Sequence, residues 1–515
     1  MKKALSVIAL LSVIIASSQE KIDYKAVEKI RKEGLENSKI EKIAFELTDK
    51  SGPRLTNSKG YERAANYAIQ QLRDWGLTNV RKDVWGEFGR GWEIEKSYIA
   101  MTKPYYMPLI GIPKAWSYST EGLIKAKVYF LDIDSKKDLD KYSGKLKGGI
   151  IGKIGDSNQG PTFKPDATRY SKEALEQLSK PRTKEDIAKS DASFQKRVKE
   201  WRQRVKINRM IDSLLRKEKS ALILQSQSGR HGTFRTGFSG GYRKNAKKSI
   251  PEMDMMPEHV NLMKRLFESG VEVEIEAEIK TRFLDDNLNG YNVIAEIEGH
   301  DPVLKSEVVM LGAHLDSWHG ATGATDNASG CAVMMEAVRI IIASGLKPKR
   351  TIRIALWDGE EQAHYGSRNY IKNNFGNLEG EDELKPDHGK VSAYYNIDNG
   401  TGRIRGIYLQ GNEKVRPVFS KWFEPFEDII DNTTLTIRDT GGTDHWGFDE
   451  AGIPGFQFIQ DRIEYSSRTH HSNADYYERL VMDDLKQMAT IIASFVYHTA
   501  QRDKLLPRKE IKKKK

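Results

Sequence analysis

Six side chains in the second half of this 515-residue chain are of the types that hold metal ions and activate water. His314 stands in Gly312-Ala313-His314-Leu315-Asp316, Asp326 in Thr325-Asp326-Asn327, and Glu361 in Trp357-Asp358-Gly359-Glu360-Glu361. Asp398 stands in Asn396-Ile397-Asp398-Asn399, and His471 in His470-His471-Ser472. Two histidines and three carboxylates can hold two zinc ions that share one carboxylate. Glu360 is a carboxylate beside a metal carboxylate, where a general base for water is needed. Adjacent carboxylates repel each other unless a cation is near. Adjacent side chains also diverge, so one can bind metal while the other faces the water. The set reads as a two-metal hydrolase. Each residue also has a plainer reading: Asp326 as a helix N-cap, Glu360-Glu361 as a solvated acidic loop, Asp398 as a turn residue, and His470-His471 as a solvated pair.

These residues need elements to bring them together. Val293–Ile297, Val308–Ala313, Thr351–Trp357 and Val391–Ile397 are apolar and strand-like, and Val271–Lys280 alternates. Ala328–Ala343 and Gly366–Asn373 between them are helical. Alternating strands and helices predict an α/β fold with a mixed, largely parallel sheet flanked by helices. Ligands in such sheets bind beyond the carboxyl ends of the strands. His314, Glu360-Glu361 and Asp398 each follow a strand, so three segments deliver polar residues to one rim. Asp316, two residues past His314, is placed to accept the proton on the far imidazole nitrogen. Upstream, residues 24–48 and 60–75 have helical spacing and residues 77–84 read as a strand.

The segments Gly-Ala-His-Leu-Asp-Ser, Ala-Thr-Asp-Asn-Ala-Ser-Gly, Trp-Asp-Gly-Glu-Glu, Asn-Ile-Asp-Asn, Gly-Gly-Thr-Asp-His-Trp and His-His-Ser-Asn-Ala-Asp occur here in the order of the M28 zinc peptidases, a family this chain resembles. That family includes co-catalytic aminopeptidases and the plasma glutamate carboxypeptidase group. The resemblance covers about 30–90 and 270–500. It implies a zinc-peptidase fold and two zinc ions per chain. By the same resemblance Asp326 bridges both ions, His314 and Asp398 complete one site, and Glu361 and His471 complete the other. Glu360 would be the general base and Asp316 would orient His314. Asp444 and His445 match a segment lining the substrate cleft. Many family members carry a Tyr before the last histidine ligand, placed to stabilise the oxyanion. His470 stands there in this chain, as in the plasma glutamate carboxypeptidase group, and is a donor able to do the same work. The expected substrates are peptides cut at a chain end. Aminopeptidase, dipeptidase and carboxypeptidase actions all occur on this scaffold, and Arg462 and Arg468 are candidates to bind a substrate carboxylate.

The expected organisation is a signal peptide at 1–18, a discontinuous catalytic domain at 19–99 and 269–502, an insert at 100–268, and a basic tail at 503–515. Lys2-Lys3, the apolar run Ala4–Ile15 and the small residues Ala16-Ser17-Ser18 make an export signal too short for a confident membrane span. Export to the periplasm or the medium is expected, with no stable span after cleavage. The insert resembles the protease-associated (PA) lobe of part of the family, entered through Lys145-Leu146-Lys147-Gly148-Gly149-Ile150-Ile151. Its charged stretch, 172–219, reads as two exposed helices.

Cys331 is the sole cysteine, which rules out an internal disulfide, and it reads as a small buried hydrophobe. Of the net charge of +11, residues 508–515 alone hold six basic side chains against Glu510. The body is therefore only mildly basic, and nothing else suggests nucleic-acid recognition. Gly237-Phe238-Ser239-Gly240-Gly241 fits the G-x-S-x-G string of serine hydrolases, but Arg230, His231 and Arg235 leave no buried strand leading into it. A glutaminyl-cyclase-like transferase with fewer metals and a non-catalytic receptor-like relative compete with the peptidase reading. The full ligand set disfavours both. The sequence leaves the oligomeric state open.

Overall fold

The computed structural model describes residues 20–510 apart from 134, 156–159 and 377–382. The expected signal peptide and the last five residues of the tail lie outside the described residues.

Asp23 caps the first helix, Tyr24–Glu36, by accepting the Ala26 N–H. The sequence predicts one helix over 24–48; the structure has two, the second being Ile40–Leu47. The break has a cause. The Ser38 hydroxyl and the Lys39 N–H both donate to Glu336 at 2.9 Å. Glu336 is fully buried and also takes Arg339. Satisfying that buried charge outweighs continuing the helix.

The first sheet has eight strands in the order Thr78–Glu87, Asn289–Ile297, Thr351–Trp357, Val308–His314, Val391–Asn396, Gly455–Gln460, Ile404–Tyr408, Thr434–Thr436. The central four are mutually parallel, as expected, and the sheet is mixed because antiparallel strands flank them. Val308–His314 lies buried along its whole length between two parallel neighbours, which explains its unbroken apolar run. Helices Ser329–Ala343 and Met482–Gln501 pack on one face with the N-terminal helices. Cys331 sits in that layer; burial pushes its thiol up to about 12, so it remains protonated.

A second eight-stranded sheet lies between the two halves of the first in sequence. Its longest pair is Gly91–Lys103 against Glu274–Leu284, antiparallel, with Gly91 opposite Leu284. The second sheet therefore takes in residues on both sides of the expected insert, 100–268. The strand expected at 271–280 pairs here, and not in the first sheet. Helix Pro257–Glu268 covers this sheet through Val260 and Met263. The charged stretch forms helices Lys172–Ser179 and Lys184–Lys217, the second of 34 residues. Among the described residues no helix is long and apolar enough to cross a membrane.

Candidate metal centre

The rim of the parallel strands gathers the expected residues. His314 ends the strand Val308–His314, and Asp398 follows Val391–Asn396. Strand Thr351–Trp357 runs into Asp358-Gly359-Glu360-Glu361. Gly359 has a φ of +66°, a conformation that glycine adopts without strain, and it turns the chain so that Glu360 and Glu361 face the rim. Asp316 fixes this turn: its two oxygens accept the Glu360 and Glu361 N–H groups, each at 3.2 Å. His314 Nδ1 lies 3.0 Å from the Asp316 carbonyl oxygen and 3.6 Å from its carboxylate. The main chain at Asp316 thus sets the imidazole, and its side chain chiefly sets the Glu360-Glu361 turn.

With Nδ1 so engaged, His314 Nε2 faces the centre. It lies 3.3 Å from Asp326 Oδ1, 3.4 Å from Asp398 Oδ1 and 3.9 Å from Glu360 Oε2. On the other side His471 Nε2 lies 2.9 Å from Glu361 Oε2 and 3.4 Å from Asp326 Oδ2. Asp326 turns one oxygen to each histidine. Its own main chain is held by Asp475, whose carboxylate accepts the Thr325 and Asp326 N–H groups at 2.7 and 3.0 Å. His314 Nε2, Asp326 Oδ2 and both Glu361 oxygens are buried without a hydrogen-bond partner. Buried polar atoms rarely stay unpaired. Here several converge, and carboxylate and imidazole are the donors that zinc takes. The residues present fit a metal pair.

The electrostatics agree. Burial raises the pKa of Glu361 well above the usual carboxylate range, and the neighbouring Asp326 charge adds to it. Burial disfavours a charged His314, yet the Asp398 and Glu360 charges outweigh it and raise its pKa. Burial pushes Glu360 up to about 8, against the pull of His314 and His364.

Residues 292–496 match Peptidase family M28. This chain carries a peptidase family M28 domain. Carboxypeptidase Q of Mus musculus is 27% identical over 480 residues, which span 92% of this chain and 88% of that protein. Carboxypeptidase Q of Bos taurus is 27% identical over 92% of this chain and 87% of that protein. The fold is shared with a Peptidase M28 precursor from Shewanella amazonensis, with a TM-score of 0.67, 22% identity and coverage of 95% and 99% of the two chains. It is also shared with a zinc aminopeptidase from Bacillus subtilis, with a TM-score of 0.57, 18% identity and coverage of 92% and 98%.

Other residues of the M28 domain are placed less simply. Asp444 and His445, expected to line the cleft, are both buried, and the His445 Nε2 sits 3.1 Å from the Thr440 carbonyl oxygen. His445 opens the helix His445–Glu450, and Asp444 stands at its N-cap. His470 is partly exposed, stacked on His471 with ring centroids 3.7 Å apart, and its Nε2 lies 4.0 Å from Asp326 Oδ2. Burial lowers its pKa, which favours the neutral ring.

Three contributors escaped sequence reasoning. His364 Nε2 lies 3.1 Å from Glu360 Oε1, brought there by a left-handed backbone at φ +55°. The Tyr465 hydroxyl faces Asp398 at 3.4 Å. Trp318 meets His471 edge-on. The spacing of a histidine four residues beyond Glu360 was the one available signal.

Beside His470 opens a cavity of about 460 Å³, lined by Lys164, Asp166, Arg230, Arg235 and Arg468 among others. Arg468 is already paired, with Asp166 at 2.7 Å and Glu464 at 3.2 Å. Arg462 packs over the Tyr170 ring and bonds its hydroxyl. Of the two expected arginines, Arg468 is thus held by carboxylates, whereas Arg462 has no ion pair among the described residues. Lys164, Arg230 and Arg235 carry no ion pair among the described residues, and all three come from the inserted unit.

Proposed function

We propose that the chain is an exported di-zinc exopeptidase that hydrolyses peptide bonds at chain ends. One observation carries this reading: the two Asp326 oxygens face His314 and His471 separately, at 3.3 and 3.4 Å. Asp326 would be shared, with His314 and Asp398 on one zinc and Glu361 and His471 on the other. When bound, the metal pair supplies Lewis-acid activation of the scissile carbonyl and of water.

The chain's own residues divide the remaining work. Glu360 accepts the proton of the attacking water and returns it to the leaving amine. Its burial raises the carboxyl's pKa, so it takes up a proton more readily than an exposed carboxylate does. His364, on the other carboxylate oxygen, steers which oxygen faces the water. Asp316 positions both the imidazole of His314 and the Glu360-Glu361 turn. His470 donates a hydrogen bond to the developing oxyanion.

The relatives called carboxypeptidase Q and zinc aminopeptidase support an exopeptidase. The unpaired cations beside His470 favour a substrate with a free carboxylate, hence a dipeptidase or carboxypeptidase-like action. The inserted unit fits a PA-type lobe. Export rests on Lys2-Lys3 and the apolar run that follows.

Metal analysis and one variant test the reading. About two zinc ions should bind per chain, whereas about one would fit a cyclase-like transferase and none a receptor-like relative. Glu360→Gln should keep the metal and lower kcat by about 10²- to 10⁴-fold. Near wild-type turnover in that variant, or activity that survives complete metal removal, would sink the proposal.

A further inference from the structure

Among the described residues, the long helix Lys184–Lys217 joins a buried apolar cluster near its C-terminus, where Ile207, Ile211, Leu214 and Leu215 pack on the inserted unit. From residue 184 to 206 every side chain is exposed except the half-buried Val198 and Val205. A helix with no packed face is marginal in water. Yet the exposed face is not uniformly polar. Ile187, Phe194 and Trp201 are 45%, 55% and 63% exposed. With Val198 and Val205 they fall on one stripe, because their spacings of seven, four and three residues return to the same side of a helix. Arg197 and Arg204 flank one edge of the stripe and Arg202 and Arg209 the other, with Lys196, Lys199 and Lys206 behind. Residues 196–209 hold seven basic side chains and a single acid, Glu200.

We infer that this helix docks in the plane of an anionic lipid surface, with its apolar stripe facing the acyl boundary. A second copy of the chain is disfavoured, since pairing stripe to stripe sets arginine edges against arginine edges. A partner helix of another protein is disfavoured too. Asp191 and Asn208 break the seam, and the run from 194 to 205 falls short of the three to four heptads a coiled coil needs. A lipid interface demands no register. It takes Trp and Phe at the headgroup level while flanking arginines reach the phosphates. The seven bases against one acid between 196 and 209 draw the helix itself toward such a surface. The inference is independent of the metal centre.

Flotation of the full mature chain with lipid vesicles tests it. The protein should float with phosphatidylcholine vesicles containing about one-third phosphatidylglycerol, stay behind with phosphatidylcholine alone, and be released by high salt. The double variant Phe194→Ser/Trp201→Ser should lose about ten-fold or more of the partition coefficient, and so should Arg197→Gln/Arg202→Gln. Turnover of a soluble peptide should be equal in all three proteins, since no altered residue touches the metal centre. The inference falls if the wild type does not float, or if either double variant floats undiminished. It falls equally if light scattering finds a dimer that Phe194→Ser/Trp201→Ser dissolves, which would assign the stripe to a second copy.

Discussion

The Thr236 N–H donates to the carbonyl oxygen of His471 at 2.7 Å, although the two residues belong to different sheets' territories. Next to it, the Phe234 N–H donates to Asn473 Oδ1 at 2.8 Å and the Asn473 N–H returns to the Phe234 carbonyl at 3.1 Å. His471 itself has a left-handed backbone, φ +58°, which costs energy in a non-glycine residue unless its surroundings hold it. The inserted unit thus grips the loop that carries a proposed zinc ligand.

Removing this grip should weaken metal binding without unfolding the chain. Thr236→Pro deletes the N–H and should lower zinc affinity by about 10- to 100-fold, the range seen when support of a metal ligand is lost. Competition with a chelator gives the number. Unchanged affinity would show that the loop holds its shape unaided.

Substrate choice should turn on Arg235. Replacing it with Ala should lower kcat/KM for a dipeptide with a free C-terminus by about 10- to 100-fold, the worth of a charge-assisted hydrogen bond. The matching C-terminal amide should be hydrolysed equally by both proteins. Equal losses on the two substrates would assign Arg235 to general cleft structure.

Acid stability should depend on His319. Its Nε2 lies 2.7 Å from the Pro113 carbonyl oxygen, and Nδ1 is buried with no acceptor. Burial therefore lowers its pKa to about 4. The unfolded chain binds this proton near pH 6.5 and the folded chain only near 4. The contribution is thus full above about 6.5 and is lost as pH falls toward 4, in all roughly 3 kcal/mol. His319→Gln keeps a donor for Pro113 and cannot titrate in this range. Urea midpoints measured between these pH values should fall less steeply for the variant; parallel slopes would exonerate His319.

The proposed ligands were legible because each of three segments ends or follows an apolar strand of a parallel sheet, and such strands can be read from composition. The contacts that organise those ligands were hidden for physical reasons. Whether Asp316 meets His314 through its carboxylate or its carbonyl depends on a loop conformation that spacing does not encode. His364 reaches Glu360 only because the backbone at 364 is left-handed. Arg468 looked available until Asp166, 302 residues away, neutralised it. The reach of the second sheet was hidden because its two long strands alternate like any half-buried pair, and nothing in their residues says which sheet they join.

That pairing of Gly91 with Leu284 gives the inserted unit a single doorway. Chain enters and leaves through neighbouring strands, so the unit can be exchanged as a cassette while the catalytic sheet keeps its connectivity. Its hold on His471 sets the limit to such exchange. A replacement of any shape can be spliced in at the doorway, but only one that reaches across to 471 can inherit a working centre.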